Sequence, residues 1–598
     1  MPKNTYGSKN KTGITAVLSQ KNMFIDTRRL AEGSVVHSEV CIIGGGVAGL
    51  SLALELEKHG IETCVLESGG FKPDEATRDL YRGENVGLPY QFADSCRSRY
   101  LGGSSNCWGG YCRPLEAHDF ERREWVPNSG WPFGKSELQP YYERSHVLLK
   151  LGPSRYDVDF WVHALDNLQI HPILLNPTRV VTGICQLSPP ARFGRLYRGE
   201  LAKSKHVRVY LYANAVDIES GSDQAIRFVK VKTLSGKSLA ASARIFVLAT
   251  GGIENARLLL ASNKVRPNGI GNDNDLVGRY FMDHPRLVTG KIYFRKDLPS
   301  HMLYDHLLNY HNRAFAAHGT CFAARLALSP ELQAKEHLLN ASVCFAALFF
   351  GYDTKVKEAL DRIKNMFARH AAFDRSLVRD IMATSCHPTL VIQLLLARVL
   401  RLPGLIRYSR FQAIVEPLPD PASRVTLSTE CDRLGVNRVK VDWRLGPEVK
   451  RTFDRTLTII AEELTNAGIA EVTLDPPNEG GDWFRSLETV GTWHHMGTTR
   501  MHDSPRLGVV DRNCRVHGTS NLYAAGSSVF PTGGGNFPTI TIVALALRLS
   551  DHIAAEMRRP FVLGTQSENA SNGSGSLLKK NRKLSVLGAE LGLDTNSR

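Results

Sequence analysis

Apolar positions along this chain fall into runs of strand length, helically spaced stretches and long polar flanks. Residues 38–43, SEVCII, form an apolar run of strand length that passes directly into Gly44-Gly45-Gly46. An apolar helical stretch covers 50–59, and a second apolar strand at 63–66 ends on Glu67. Strand, helix and strand in this order predict a parallel βαβ unit and an α/β fold. Farther on, residues 207–218, VRVYLYANAVDI, alternate as a single strand, and 245–249 read as another that enters a glycine turn. Strands and loops dominate 291–343, and FQAIVEP at 411–417 is a strand followed by a turn at 420–424. Helices are expected in WPFGKSELQPYYERSHVLL, capped at Ser136, in KVKEALDRIKNMFARH at 355–370, and in the long apolar stretch that opens at Pro538-Thr539. Residues 1–35 read as a poorly ordered arm and lead-in. Residues 565–598 are Ser/Asn/Gly-rich and too poor in apolar side chains to repay their ordering entropy, so a disordered tail is expected.

Length and charge narrow the picture. A chain of 598 residues has room for two to four domains of ordinary size, and 42% hydrophobic with 22% charged residues is the balance of a globular protein. The net charge of +15 is unevenly spread: residues 355–410 hold eleven Lys/Arg against four Asp/Glu. This basic segment, assigned as a helical insertion over 354–410, reads as a solvated face, with a lid or a docking surface for an acidic membrane or a redox partner as the alternative. Zinc-finger spacing, aromatic and basic interleaving and a recognition helix are all missing, which argues against nucleic acid. The eleven cysteines contain no CxxC pair, which points to free thiols in a reducing compartment, with no metal site. No signal-peptide core opens the chain, and the apolar run at 390–400 is too short for a bilayer and carries Arg398. A soluble, cytoplasmic protein is expected, peripheral to a membrane at most.

The glycine run carries the first chemistry. In Gly44-Gly45-Gly46-Val47-Ala48-Gly49, Gly44 allows the tight turn, Gly46 admits a pyrophosphate to the backbone, and Gly49 lets helix and strand pack closely. Glu67, 23 positions after Gly44, is placed to accept hydrogen bonds from a ribose and would repel a 2′-phosphate. The unit does not decide between FAD and NAD. Arg97–Pro114, RSRYLGGSSNCWGGYCRP, is a loop of glycines and short polar residues that either wraps a second ligand segment or is a plain surface turn. Near the end, GTWHHMGTTRM offers His494 and His495 as rival bases, ahead of a glycine turn that closes on Asn536-Phe537-Pro538-Thr539.

Taken in order, these stretches resemble the glucose–methanol–choline (GMC) oxidoreductases, in the branch of bacterial sugar and polyol dehydrogenases and pyranose oxidase. The resemblance rests on the dinucleotide unit, Arg99-Tyr100-Leu101-Gly102-Gly103-Ser104-Ser105 with Asn106-Cys107-Trp108, Ala249-Thr250-Gly251-Gly252-Ile253-Glu254-Asn255, Val277-Gly278-Arg279-Tyr280-Phe281-Met282-Asp283-His284-Pro285, and the histidine and glycine stretch. It implies a discontinuous Rossmann-like FAD-binding domain (36–130, 200–290 and 486–557) and a substrate domain (131–199 and 291–485) with a large, mainly antiparallel sheet. It further implies FAD held by Gly44, Gly46, Gly49, Glu67, Gly103, Ser104, Asn106, Val216, Gly251, Gly526, Pro538 and Thr539. Family registration makes His494 the catalytic base and Asn536 its partner, and His495 and Glu416 become candidate substrate contacts. Cys107, read as a buried thiol, stands where some relatives carry a flavin-linked histidine, so noncovalent FAD is expected. The implied activity is oxidation of an alcohol group of a sugar, polyol or glycoside, with oxygen, a quinone or a redox partner as acceptor. A lyase on the same fold, a long-chain alcohol oxidase, a non-catalytic flavin binder and a nicotinamide enzyme are the alternatives.

Overall fold

The computed structural model describes residues 23–558 apart from 91–95, 222, 296–298, most of 350–405 and 476–487. The expected tail at 565–598 and most of the basic insertion lie outside the described residues.

The glycine motif sits at the centre of an eight-stranded sheet. Its core is parallel: Val35–Ile43 is flanked by Thr63–Glu67 on one side and Ser238–Leu248 on the other, in registers that pair Ile43 with Leu66 and with Leu248. These strands are almost wholly apolar at their carboxyl ends because a parallel sheet is covered on both faces. The helix Val47–Lys58 provides part of that cover, burying Leu50, Leu52, Leu54 and Leu56. Leu522–Ala524 returns from far downstream to pair with Ser238–Leu248, with Phe246 opposite Leu522. The carboxyl ends of Val35–Ile43, Thr63–Glu67, Ser238–Leu248 and Leu522–Ala524 therefore open on one crevice, where ligands bind in open α/β sheets.

Several local expectations are corrected. The single strand expected at 207–218 is two, Val207–Leu211 and Asn214–Ser220, broken at Tyr212, which adopts φ 61° and donates its N–H to the Gly69 carbonyl. Part of the supposed arm is structured: Phe24–Asp26 adds a parallel edge strand beside Val207–Leu211. The helix Lys135–Leu149 has Gly134 at its N-cap with no side-chain cap bond, so Ser136 lies inside the first turn and caps nothing. The strand expected at 411–417 begins earlier and ends sooner, at Ile406–Val415.

The second sheet has nine strands, and its main path is antiparallel. Pro285–Phe294, Ile406–Val415, Ala341–Phe349 and Thr320–Leu328 run side by side, and pleating sends alternate residues to opposite faces. Leu287, Ala413, Val343 and Leu326 face a helix, Pro447–Asn466, whose Val449, Phe453, Leu457, Ile460 and Leu464 recur at helical spacing in the same core. Arg286, Ile414, Gln412 and Arg325 face the other way, into the cavity described next.

Candidate active site

A cavity of about 430 Å³ runs from the glycine motif to the second sheet. At its nucleotide end, Gly44 has φ +110°, and a Cβ there would lie 2.5 Å from the Ala249 carbonyl oxygen, so no other residue fits the turn. Gly46 and Gly251 are different. A Cβ on Gly46 would meet only the Gly103 Cα, at 3.9 Å, and one on Gly251 (φ +91°) would meet nothing within 4 Å, so both face open space along the cavity. Glu67 lines the wall and accepts the N–H groups of Gly45 at 3.0 Å and Gly69 at 2.8 Å, while burial raises its carboxyl above the ordinary range. Gly103, Ser104, Val216, Gly526, Pro538 and Thr539 also line the cavity. Pro538 precedes the helix Thr539–Arg558, and its carbonyl accepts the Ile542 N–H at 2.9 Å, closing the first turn and leaving earlier N–H groups directed at the cavity end.

Two expected cofactor residues stand behind the wall. Gly49 packs the helix onto the turn, since a Cβ there would fall 2.0 Å from the Gly44 carbonyl oxygen. Asn106 donates its amide to the Leu101 carbonyl at 3.1 Å and so braces the loop. The nucleotide end also has a buried ion cluster that the sequence reading did not single out. Glu254 receives Arg97 at 2.9 Å, Arg99 at 3.1 Å and Arg257 at 3.2 Å. Burial alone would raise its carboxyl, but the guanidiniums of Arg257, Arg99 and Arg97 bring it down to about 2.

At the other end, His494 lines the cavity and His495 turns partly away from it. His495 packs edge-on to Tyr90 at 5.8 Å and over Phe281 at 6.0 Å, and its Nε2 has no partner. Burial, with a smaller contribution from Arg97, holds its imidazolium down to about 3. His494 is fixed from two sides. Its N–H donates to Asp283 at 2.8 Å, and the same carboxylate accepts the Trp493 N–H, the Thr492 hydroxyl and the Tyr90 hydroxyl at 3.0, 3.0 and 2.7 Å. Its ring Nδ1 lies 3.0 Å from Nδ1 of His284, whose Nε2 is 2.7 Å from the Gly534 carbonyl oxygen.

That chain of contacts assigns the tautomers. A carbonyl only accepts, so His284 donates from Nε2 and, being neutral, accepts at Nδ1. The Thr492 hydroxyl, 3.0 Å from Nδ1 of His494, gives its own proton to Asp283 or the His284 carbonyl, so His494 donates from Nδ1 and its Nε2 is unprotonated. Burial first, then His284, His495 and Arg286, hold the His494 imidazolium well below the ordinary histidine range.

Asn536 is buried in the glycine turn beside Phe537, whose ring stands edge-on 6.0 Å from that of His494, but the cavity wall at this point is Phe537 through Thr539. Glu416 is not in the wall. It is 0% exposed, is gripped bidentately by Arg123 at 2.6 and 2.8 Å, and accepts the Asn340 N–H at 3.1 Å. Burial would raise its carboxyl and Arg123 holds it down. Cys107 lines the cavity and is exposed, not the buried thiol expected, although desolvation by the surrounding loop raises its thiol above the ordinary range.

These features define a dinucleotide-binding oxidoreductase site. The open faces of Gly46 and Gly251, the crowded Gly44 turn and the helix N-terminus behind it fit an extended FAD with its pyrophosphate at the glycines. Two family models agree: "FAD dependent oxidoreductase" matches residues 39–269, and "GMC oxidoreductase" matches residues 419–546. The chain is similar to paromamine 6'-oxidase of Streptomyces fradiae, 24% identical over 87% of this chain and 92% of that protein. It is similar to the fructose dehydrogenase large subunit of Gluconobacter japonicus, 24% identical over 88% of this chain and 99% of that one. Among solved structures, formate oxidase of Aspergillus oryzae RIB40 shares the fold, with a TM-score of 0.52 over 88% of this chain and 99% of that chain at 16% identity. Residues 419–546 are thus shared with the GMC oxidoreductases and residues 39–269 with FAD-dependent oxidoreductases, and the chain is an FAD-dependent enzyme. Among the described residues no helix is long and apolar enough to cross a membrane.

Sequence reasoning passed over Asp283 and His284 as site residues, although both stand in the stretch that carried the family likeness. The usable signal was a polar pair directly before Pro285 and an apolar strand. It also missed Arg286 and Arg325, each an arginine within an otherwise largely apolar strand, PRLVTGKIYF and TCFAARLAL.

Proposed function

We propose that this enzyme oxidises a CH–OH group of a sugar, polyol or glycoside, with His494 as the base that takes the hydroxyl proton. The observation that carries the reading is the relay from the Gly534 carbonyl through His284 to His494, which leaves His494 Nε2 free to accept a proton, with no described residue bonded to it. Bound FAD supplies the hydride acceptor for the same carbon. Asp283 holds the His494 backbone and, through Thr492, the rim of the ring, so the base is positioned before substrate arrives. His494 is neutral at physiological pH and is therefore in its proton-accepting form. Phe537 and Tyr111, stacked at 5.0 Å, close the apolar side of the cavity and exclude water from the reacting carbon. Asn536 is assigned as the residue that orients the substrate oxygen, and the FAD is held noncovalently.

The test is anaerobic mixing of the holoenzyme with a panel of sugars, polyols and aliphatic alcohols while flavin absorbance is followed. Bleaching by a sugar or polyol, abolished in His494→Ala that still carries its full flavin, supports the reading. Turnover of His494→Ala within about tenfold of the parent would sink it, because a general base contributes roughly 10²–10⁴-fold.

A further inference from the structure

The substrate end of the cavity holds two arginines that no ion pair with a described carboxylate neutralises: Asp283 acts on Arg286 only at a distance, and Arg325 has the Phe537 ring 5.5 Å from its guanidinium carbon. Arg286 and Arg325 lie on the cavity face of the antiparallel sheet, and neither forms an ion pair with a described carboxylate. Arg325 is 5% exposed and is held in place by Ser342, which accepts Nε at its hydroxyl and a terminal N–H at its carbonyl, both at 3.1 Å. Ser342 in turn donates to the Gly535 carbonyl at 2.8 Å, so this guanidinium is tied to the turn that leads to the flavin-facing helix. Arg286 stands two residues after His284, and its Nε is buried with no partner. The Tyr111 hydroxyl beside Arg325 is likewise buried and unpartnered. His306 donates its Nδ1–H to the Phe345 carbonyl at 3.0 Å, leaving Nε2 as an acceptor at the same end.

Acidic residues do line this cavity, but Glu67, Glu254 and Asp432 all belong to the nucleotide end. A buried guanidinium without a counter-ion costs several kcal/mol unless a ligand supplies the charge. Buried Arg325, half-buried Arg286 and the orphan Tyr111 hydroxyl form a set of donors that matches an oxyanion, since each guanidinium can present two parallel N–H groups.

We propose that the substrate is an anionic polyol, an alcohol bearing a carboxylate or phosphate group that is clamped by Arg286 and Arg325 while its hydroxyl meets His494. The inference rests on the alcohol-oxidising reading above and narrows its substrate class. The anion fixes which carbon faces the base, because Arg286 and His284 share one strand and His284 orients His494. It also offsets the positive potential that disfavours a proton on His494.

The test is calorimetric binding to the flavin-loaded enzyme, a readout independent of turnover. The probes are D-gluconate and D-glucuronate for the carboxylate, glucose 6-phosphate for the phosphate, and glucose and sorbitol as neutral counterparts. At least one anionic probe is expected to bind more tightly than both neutral ones, with Kd weakened roughly ten- to a hundredfold in Arg286→Gln and Arg325→Gln and partly restored in Arg286→Lys. Thermal unfolding of ligand-free Arg286→Gln is expected to hold or rise, because the variant removes an unpaired charge, whereas a merely structural arginine would lower it. Equal binding of neutral and anionic probes overturns the proposal, as does equal weakening of all probes in the variants or a changed flavin potential with unchanged anion affinity. If neutral polyols bleach the flavin and no anion binds, only this inference falls. If an anion binds through the arginines and no alcohol bleaches the flavin, the alcohol-oxidising reading falls instead.

Discussion

The two ends of one cavity treat charge in opposite ways. At the nucleotide end every prominent cation meets an anion of the protein itself: Glu254 collects Arg97, Arg99 and Arg257, and Arg257 continues to Asp432 at 2.7 Å. At the substrate end Arg286 and Arg325 face the cavity without a described carboxylate. The first arrangement has its charges paired before any ligand arrives, although Nε of Arg97 and of Arg99 is left without a partner, and it suits a cofactor that stays. The second leaves its electrostatics to be finished by a molecule that comes and goes, at a cost in stability that functional sites commonly carry. The difference teaches that paired charge marks scaffold and unpaired charge marks the place of exchange. Glu416 and His494 show the same contrast: one is buried and doubly bonded by Arg123, the other keeps one ring nitrogen free.

The sharpest way to break the comparison is to exchange the effects of the two ends. His494→Ala should lower turnover by roughly 10²–10⁴ while flavin content and melting temperature stay near the parent values, as measured by anaerobic flavin reduction and absorbance. A loss of bound flavin in that variant would mean that the ends are not separable. Glu254→Ala should do the reverse. Removing the carboxylate takes the ion-pair partner from buried Arg97 and half-buried Arg99, leaves Arg257 with Asp432 alone, and should cost about 3–5 kcal/mol in chemical denaturation, with flavin released early in the transition.

Smaller effects sharpen the boundary. Gly251→Ala places a methyl group in open cavity space at a backbone angle of +91°, so it should cost about 1–3 kcal/mol of stability from backbone strain and loosen FAD by crowding it, without changing turnover per bound flavin, as read by thermal unfolding, dialysis and rate assay. The last effect is a slope, small per pH unit. The His495 pKa falls to about 3 in the folded chain, from near 6.5 in the unfolded one. Between those values the unfolded chain binds a proton that the folded chain does not, so stability declines as pH drops through this window. His495→Phe should remove up to ~1.4 kcal/mol per pH unit of that decline in denaturation curves taken from pH 6.5 downward.

Much of the nucleotide end was legible in the chain because its requirements are local. Gly44, Gly46 and Gly49 are needed at fixed spacing within one turn, and Glu67 follows after one helix, so sequence distance and spatial distance nearly coincide. The same locality made the helix at Thr539 readable from its proline and apolar run. Errors arose where a local signal had a tertiary competitor. The alternation over 207–218 was real, but the Gly69 carbonyl drew the chain into a turn at Tyr212. Ser136 had the residue type of a cap, but the helix began before it. Glu416 looked like a wall residue because its strand was assigned to the substrate side. Its partner, Arg123, is 293 positions away and could not be paired by any rule of spacing.

By itself, the sequence determined the βαβ unit, the order of the glycine loops, the likeness to GMC oxidoreductases and the histidine pair, because each depends on residue type at short range. Only the tertiary structure put His494 in a hydrogen-bonded relay and His495 in an aromatic pocket. That relay requires His284 and the Gly534 carbonyl, 250 positions apart, to meet beside His494 and fix its tautomer. Only the tertiary structure, likewise, set Arg286 and Arg325 on one face of a sheet with no described carboxylate opposite. A strand records that a residue alternates, but what it faces depends on which distant strands and helices cover that side.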